Sequence, residues 1–343
     1  MAVTEHDTPP PPSDPRPWSP LLTVVRGMAM GISDAIPGVS GGTIALILGF
    51  YDRLIAAIHT VIRLPRHWRS PAARSDALRA FGFLLPLGFG AGLALVVALR
   101  LLVGDTSSLH EPLRAGDPDA LRAQIRELPG LLVDQTTAPV VFAFFFGLVA
   151  MSIGAPWARR RVPARMDLPL ACLAALCSGA IALSPAIGGS RHPVMAVLAG
   201  AIALSVMLLP GISGSLALLL IGMYQPVAGA VSTMTHAPEP GAAVFLLWFA
   251  LGMLLGAIGF VPFLRHLLLR RHDRVMPVLS GLMAGSLVAL WPWKHHYVPE
   301  AIPVLGPMGL AAPQGAWWWA LLAAVAGAGT IALARHTVVD PGT

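Results

Sequence analysis

The residues best placed to do chemistry form a short motif that the chain carries twice. Residues 37–42 read Pro-Gly-Val-Ser-Gly-Gly, and residues 210–215, which lie 173 positions further on, read Pro-Gly-Ile-Ser-Gly-Ser. Proline ends one helix and suits the first turn of the next, while glycine allows a ligand to approach the backbone closely. The helix after each motif would direct its first backbone N–H groups toward the motif. Such groups bind anions, above all phosphate.

We therefore predict a phosphate site where the two motifs meet. The predicted backbone and hydroxyl donors are Gly38, Ser40, Gly41, Gly42, Thr43, Gly211, Ser213, Gly214 and Ser215. Pro37 and Pro210 are predicted to break the helices. The alternative interpretation is that the glycines serve only as hinges or packing points. Two copies in corresponding halves favour ligand binding, because paired helix breaks of this kind point to the binding sites of transporters.

Few ionisable residues lie near the motifs. Asp34 comes three residues before Pro37 in apolar surroundings, and a charge at membrane depth is costly enough to suggest a function. It could bind a coupling ion, H+ or Na+, or form a structural ion pair with Arg26. Arg26 and Arg191 precede the two motifs and could meet a phosphate through paired hydrogen bonds. Snorkelling toward the membrane interface explains both arginines equally well.

Signatures of enzymes and of metal sites are missing from the sequence. It contains no Walker loop and no HExxH motif, and its glutamates all fall in the N-terminal tail or in predicted loops. Cys172 and Cys177 are five residues apart, which is not a metal-binding spacing. We predict no catalytic residue, no metal and no cofactor. The net charge of +6 is not gathered into a basic patch interleaved with aromatics, so a nucleic-acid partner is not expected.

Composition predicts an all-α polytopic membrane protein. The chain is 55% hydrophobic and 12% charged, whereas a soluble domain carries about 25% charged residues. Six apolar stretches are long enough to span a bilayer. They are residues 81–103, 138–156, 168–187, 243–264, 275–292 and 315–334. The motif regions, 21–58 and 194–235, are also apolar but are interrupted in the middle by the motifs.

The placement of arginine predicts the topology. Arginines concentrate in 53–79, 159–165 and 265–274, which should therefore face the cytoplasm, while 104–137 and 224–242 should face outward. A single crossing by each motif region would put 265–274 outside. Each motif region is therefore predicted to be a re-entrant hairpin, the first opening to the cytoplasm and the second to the outside.

An inverted repeat follows from this topology, with each half built from one re-entrant hairpin and three transmembrane helices. The first repeat is 21–190 and the second is 191–335. The proline-rich segment 1–20 is expected to be a disordered cytoplasmic tail, and 336–343 a second cytoplasmic tail. Weaker markers extend the repeat: Gly88 and Gly92 are matched with Gly252 and Gly256, and Gly147 with Gly281.

The motif and its flanks resemble one known family. Gly27 to Gly31, Asp34, Ile36 to Thr43 and Gly49-Phe50-Tyr51 resemble the PopT family of polyprenyl-phosphate translocases. The second motif, with Gly222-Met223-Tyr224, matches the same pattern, and the resemblance covers about residues 21–334. It implies a bacterial inner-membrane protein that returns undecaprenyl phosphate from the outer to the cytoplasmic leaflet. This would recycle the lipid carrier for peptidoglycan and related polymers.

The resemblance also implies site residues and partners. It carries motif roles over to the following positions: Asp34, Pro37, Gly38, Ser40, Gly41, Gly42, Thr43, Pro210, Gly211, Ser213, Gly214 and Ser215. The partners it implies are the undecaprenyl phosphate lipid and the bilayer, and the sequence is compatible with a homo-oligomer.

Two other functions remain open. Undecaprenyl-diphosphate phosphatases also use inverted re-entrant repeats with a Pro-Gly-x-Ser motif, but that family adds an arginine after the serine and paired glutamates. Here Gly41 and Gly214 follow the two serines. An ion-coupled transporter of a small anion fits the same fold, because helix ends recognise a phosphate and not its tail.

Overall fold

The computed structural model describes residues 19–36, 39–102, 116–127, 130–131, 136–159, 162–184, 190, 192–236, 239–295, 297, 309–315 and 317–339. Across these ranges the backbone is helical, apart from turns and one isolated antiparallel bridge between Lys294 and Leu310. The prediction of an all-α protein is therefore confirmed. Most of the predicted tail 1–20 and of the loop 104–137 lies outside the described residues, as does the C-terminus after Val339.

The helices are numbered in chain order. They are α1 (Pro20–Asp34), α2 (Gly41–Ile47), α3 (Tyr51–His67), α4 (Pro71–Leu102), α5 (Pro118–Glu127), α6 (Ala138–Ser152), α7 (Gly154–Ala158), α8 (Asp167–Leu183), α9 (Pro193–Met207), α10 (Gly214–Leu220), α11 (Tyr224–His236), α12 (Pro240–Arg270), α13 (His272–Ser286) and α14 (Trp317–Val339). The first motif lies between α1 and α2, and the second lies between α9 and α10.

Several of these helices suit a membrane. Within the described ranges, Pro71–Ala98, Ala138–Ala158 and Pro240–Arg270 are long and apolar enough to cross it. Helices α2 and α3 pass the same test together but are bent by 119° at the break between them. Shorter apolar helices are Asp167–Leu183, Pro193–Met207 and Trp317–Ala332. The chain is thus a helical, multi-pass membrane protein, while its six spans and two re-entrant hairpins stay predictions.

The two helices that lead into the motifs begin in the same way. Ser19 accepts a hydrogen bond from the backbone N–H of Leu22 at 3.1 Å, and His192 accepts one from that of Val194 at 3.3 Å. In each case proline, which has no N–H to lose, occupies the first helical position. The sequence therefore specifies the start of α1 and of α9 by the same local chemistry.

Glycines set two equivalent helix crossings, α1 against α4 and α9 against α12. At each glycine an added Cβ would collide with a backbone oxygen of the partner helix. An added Cβ would lie 2.1 Å from Leu87 O at Gly27, 2.1 Å from Val24 O at Gly90, 2.1 Å from Phe249 O at Gly200 and 2.0 Å from Val197 O at Gly252. Such contacts let two helix backbones approach more closely than any other side chain permits.

The predicted match of Gly88 and Gly92 with Gly252 and Gly256 is wrong by two residues. A Cβ on Gly88 or Gly92 would have nothing within 4 Å, whereas Gly252 and Gly256 both face α9. Gly90 is the residue of α4 that contacts its partner helix as Gly252 does. The error arose because counting small residues at a spacing of four does not reveal which side of the helix meets a neighbour.

The remaining long helices pair across the two predicted repeats. Helix α6 packs against α14, and α8 packs against α13. Glycine again permits both crossings, since a Cβ on Gly147 would lie 1.9 Å from Ala324 O and one on Gly281 would lie 2.1 Å from Ala171 O. Each predicted half therefore completes its packing with a helix from the other half.

Candidate functional site

The two motifs are in direct contact. The Ser40 hydroxyl lies 3.2 Å from the carbonyl oxygen of Met207 and 3.3 Å from that of Leu209. The Tyr51 hydroxyl donates to the Leu208 carbonyl at 2.8 Å. These carbonyls end α9, where the helix itself provides no hydrogen-bond donors. Side chains around the first motif thus satisfy the broken backbone of the second.

One hydrogen bond is donated by the second motif to a side chain beside the first. The backbone N–H of Gly211 donates to the Thr43 hydroxyl at 2.9 Å. Gly211 has φ of +92°, and a Cβ there would lie 2.5 Å from the backbone of Leu282 on α13. Only glycine fits this turn, which Pro210 precedes. The second motif is therefore held between the first motif on one side and α13 on the other.

This contact lies inside the protein. Ser40, Thr43 and Tyr51 are each no more than 1% exposed, and Ser213 is 2% exposed. Buried polar groups are costly unless they are hydrogen-bonded, and those around the first motif are paired with groups around the second. The motifs consequently form one buried polar cluster within a largely apolar core.

The amino-terminal end of α2 is capped by the protein's own side chains. A carboxylate oxygen of Asp34 accepts from the backbone N–H of Gly41 at 2.6 Å, and the Ser40 hydroxyl accepts from that of Gly42 at 3.1 Å. The N–H of Thr43 donates to the Ser40 carbonyl at 2.8 Å. Asp34 thus occupies the place where a bound anion was expected, and the predicted donors Gly41 and Gly42 already have partners.

The equivalent end of α10 differs. Met207 takes the place of Asp34, and its Cβ lies 3.2 Å from the position that a Cβ on Gly214 would occupy. The hydroxyls of Ser213 and Ser215 are 2.7 Å apart. Within the described ranges, the backbone N–H groups of Gly214, Ser215 and Leu216 donate to no protein acceptor. The second motif therefore keeps the unused hydrogen-bond donors.

Arg26 and Asp34 lie eight residues apart on one continuous helix, so about 12 Å separates them along its axis. The Arg26 guanidinium stands 5.9 Å from the ring centroid of Phe50, at the bend between α2 and α3. Asp34, for its part, bonds to Gly41. Pro37, Gly38 and Arg191 lie outside the described residues.

Two residues that contact the motif region were not singled out as site candidates from the sequence. Tyr51 was noted only as a marker of the repeat, although its hydroxyl bridges the motifs. Arg159 lies 3.7 Å from the carboxylate of Asp52 and 3.5 Å from the carbonyl of Leu46, near the end of α2. The recurrence of Gly-Phe-Tyr as Gly-Met-Tyr at 222–224 could have pointed to Tyr51. No sequence signal distinguishes Arg159 from the arginines that follow it.

Metal ligands are not gathered at the site. The described residues include no group of three or more His, Cys, Asp or Glu side chains that could hold a metal ion. Cys172 and Cys177 are free and exposed on α8. The polar groups of the motif cluster are hydroxyls, amides and the Asp34 carboxylate.

Paired helix breaks that meet inside an apolar helical bundle define the class of protein as a membrane transporter. The chain belongs to the undecaprenyl phosphate translocase-like family, whose model matches residues 30–113 and 127–301. The resemblance seen in the sequence is thereby confirmed.

Two relatives share the name polyprenyl-phosphate transporter. The chain is 34% identical over 281 residues to a polyprenyl-phosphate transporter of Vibrio cholerae serotype O1, covering 80% of this chain and 79% of that protein. It is 28% identical over 285 residues to a polyprenyl-phosphate transporter of Staphylococcus aureus, covering 79% and 86%. Both relatives are named as transporters. No solved structure matches the chain.

Proposed function

We propose that this protein moves undecaprenyl phosphate, or a closely related polyprenyl phosphate, from the outer to the cytoplasmic leaflet of the bacterial inner membrane. The observation that carries the proposal is the contact between the two motifs, of which the second keeps unused backbone donors. Family membership supports the choice of substrate. The direction is the one implied by the sequence resemblance.

The phosphate is held mainly by the second motif. Ser213 and Ser215 supply hydroxyls, and the N–H groups of Gly214 and its two successors supply backbone donors. Ser40, Thr43 and Gly211 position the two motifs against each other. Arg26 and Arg191, which precede the two motifs in the sequence, supply positive charge for the phosphate. This assignment differs from the symmetrical site expected from the sequence, because the α2 amides are already occupied.

Asp34 couples transport to an ion, for which a proton is the simplest choice. Its carboxylate competes with a substrate phosphate for the Gly41 N–H. Protonation removes the negative charge and weakens this bond, so that the phosphate can approach the first motif. Release of the proton restores the internal cap and expels the phosphate through repulsion between like charges.

The two halves form an inverted repeat with re-entrant hairpins. Equivalent glycine contacts at α1–α4 and α9–α12 support this arrangement, as do the exchanged pairs α6–α14 and α8–α13. The sharp bend between α2 and α3 suits a hairpin that enters and leaves on one side. The positive-inside rule then puts both termini in the cytoplasm.

Transport of a fluorescent short-chain polyprenyl phosphate in proteoliposomes tests the proposal. Replacing Ser213 and Ser215 together with alanine should slow transport by about tenfold or more, because two donors to a charged group are lost. Ser205→Ala is the matched control, since that hydroxyl bonds only within α9, to Ala201 at 2.7 Å. Its transport rate should stay close to the wild-type rate.

Three results would contradict the proposal. Equal transport rates in the double variant and the control would show that the second motif does not hold the phosphate. Transport of inorganic phosphate as fast as the lipid would favour the small-anion carrier. Release of inorganic phosphate from a polyprenyl diphosphate by purified protein would favour the phosphatase.

A further inference from the structure

A second cluster of basic side chains lies away from the motifs, where α3 packs against α12. The guanidinium of Arg265 on α12 lies 3.3 Å from Nδ1 of His59 on α3. Arg63 follows His59 by four residues, which places both side chains on one face of α3. Arg63 is close enough to interact electrostatically with both partners.

The described residues place no negative charge beside this cluster. In the part of the chain that the structure describes, no carboxylate lies within 4 Å of Arg63 or Arg265. Arg265 is half-buried between the helices, so water screens its charge less than at an open surface. The exposed guanidinium of Arg63 repels that of Arg265. A bound anion would remove that repulsion.

The surroundings indicate that the anion carries an apolar tail. Leu251, Leu254 and Ile258 precede Arg265 by 14, 11 and 7 residues, which places them on the same side of α12. All three are exposed, by 40%, 54% and 42% respectively. An apolar track thus leads along the helix surface to the basic cluster.

We propose that His59, Arg63 and Arg265 form a second phosphate site, which binds the headgroup of a phosphate-bearing lipid whose tail lies along α12. Guanidinium groups pair with phosphate oxygens through two parallel hydrogen bonds, and His59 adds a third donor. Basic pockets between membrane helices bind anionic headgroups in this way. The predicted topology places the site at the cytoplasmic leaflet, and it requires no transport step.

Native mass spectrometry of the full-length protein in detergent, with dioctanoyl phosphatidic acid as the probe, tests the site. Arg265→Gln should lower lipid occupancy by about tenfold, the usual effect of losing a charge-assisted bond. Arg270→Gln is the matched control, because this exposed arginine lies on another face of the same helix. Ser213→Ala should also retain the lipid, which separates this site from the motif cluster.

Two further probes identify the ligand class. Dioctanoylglycerol, which has the tail without the phosphate, should not bind at the site. Inorganic phosphate in tenfold excess should not displace the lipid. Displacement by inorganic phosphate would overturn the lipid assignment in favour of a free-anion site.

Two additional variants keep the test interpretable if Arg265→Gln misfolds. Arg63→Gln changes an exposed residue and should fold normally while losing lipid, and Arg265→Lys keeps the charge and should bind with intermediate affinity. Unchanged occupancy in Arg63→Gln and Arg265→Gln would overturn the proposal. So would equal losses in Arg265→Gln and Arg270→Gln, which would reflect surface charge alone.

Discussion

A carboxylate and a thioether occupy equivalent positions in the two motifs. Asp34 bonds to the Gly41 amide, while Met207 lies against Gly214 and leaves its amide unused. One half of the cluster therefore holds a negative charge of its own, and the other half offers donors. This difference of one residue type makes two similar motifs chemically complementary.

Asp34→Asn tests the role of the carboxylate. The amide oxygen of asparagine can still accept from the Gly41 N–H, so stability should change by less than about 1 kcal/mol. Because an amide cannot take up the coupling proton, transport should fall by about tenfold or more. Rates in proteoliposomes, together with the thermal midpoint, measure the two effects.

Asp52→Asn is the control for this variant. Asp52 is exposed and pairs with Arg159 at 3.7 Å, so its replacement should leave transport nearly unchanged. Full transport by Asp34→Asn would refute ion coupling at Asp34. A large loss of stability with normal transport would assign the carboxylate a purely structural role.

Lys294, the only lysine in the chain, is buried beyond the end of α13. Its ammonium donates to the Ala289 carbonyl at 2.6 Å and lies 3.8 Å from the ring centroid of Phe142. Burial lowers the pKa of Lys294 to about 7. The unfolded chain, with a lysine pKa near 10.4, binds more protons than the folded chain between these values.

Stability should therefore rise with pH between about 7 and 10 through Lys294. Lys294→Met removes this contribution. The thermal midpoint of the wild type, measured relative to that of Lys294→Met in the same detergent, should increase from pH 7 to pH 9.5. A constant difference between the two thermal midpoints across this pH range would show that Lys294 has the same protonation in the folded and unfolded states.

At the scale of helices, close crossings depend on single glycines, which the sequence pattern identified correctly on α12 but not on α4. Gly88 and Gly92 were expected from their spacing, but Gly90 makes the contact of α4 with α1. The ends of the helices also differ from the ends of the predicted apolar spans. Helix α12 runs to Arg270 and not to residue 264, because arginine can extend its charge beyond the apolar layer.

Gly90→Ala and Gly88→Ala form a matched pair on α4. An added Cβ at position 90 would meet the Val24 carbonyl oxygen at 2.1 Å, while one at position 88 would meet nothing within 4 Å. We expect Gly90→Ala to destabilise the protein by about 2 kcal/mol or more, and Gly88→Ala to stabilise it slightly through helix propensity.

Thermal unfolding in detergent compares these two variants directly. Equal midpoints would mean that α1 and α4 do not cross at Gly90. A loss in Gly88→Ala alone would restore the original matching of Gly88 with Gly252.

At the scale of the whole molecule, sequence reasoning predicted much of the architecture but few of the contacts between elements that are distant in the chain. Hydropathy and proline-glycine breaks identified the helices and the motifs, because these depend on local composition. The bonds from Ser40 and Tyr51 to the end of α9 join residues more than 150 positions apart. No local pattern encodes such contacts, nor the pairing of α6 with α14.

Cysteine labelling tests the predicted topology. With Cys172 and Cys177 replaced by alanine, Ser190→Cys and Glu239→Cys should both react with an impermeant maleimide added outside intact cells. Val162→Cys should react only after the cells are opened. Labelling of Ser190→Cys and Glu239→Cys from opposite sides would mean that the second motif region crosses the membrane once, which excludes an inverted repeat.

The exchange of helices between halves has a consequence for biosynthesis. Helix α6 ends at Ser152, and its partner α14 begins at Trp317, which is 165 residues later. At about 5–20 residues per second, translation leaves α6 without its partner for roughly ten to thirty seconds. The glycine face of α6 is exposed during this interval. A nascent chain that stalls before α14 therefore presents an unpaired surface on α6.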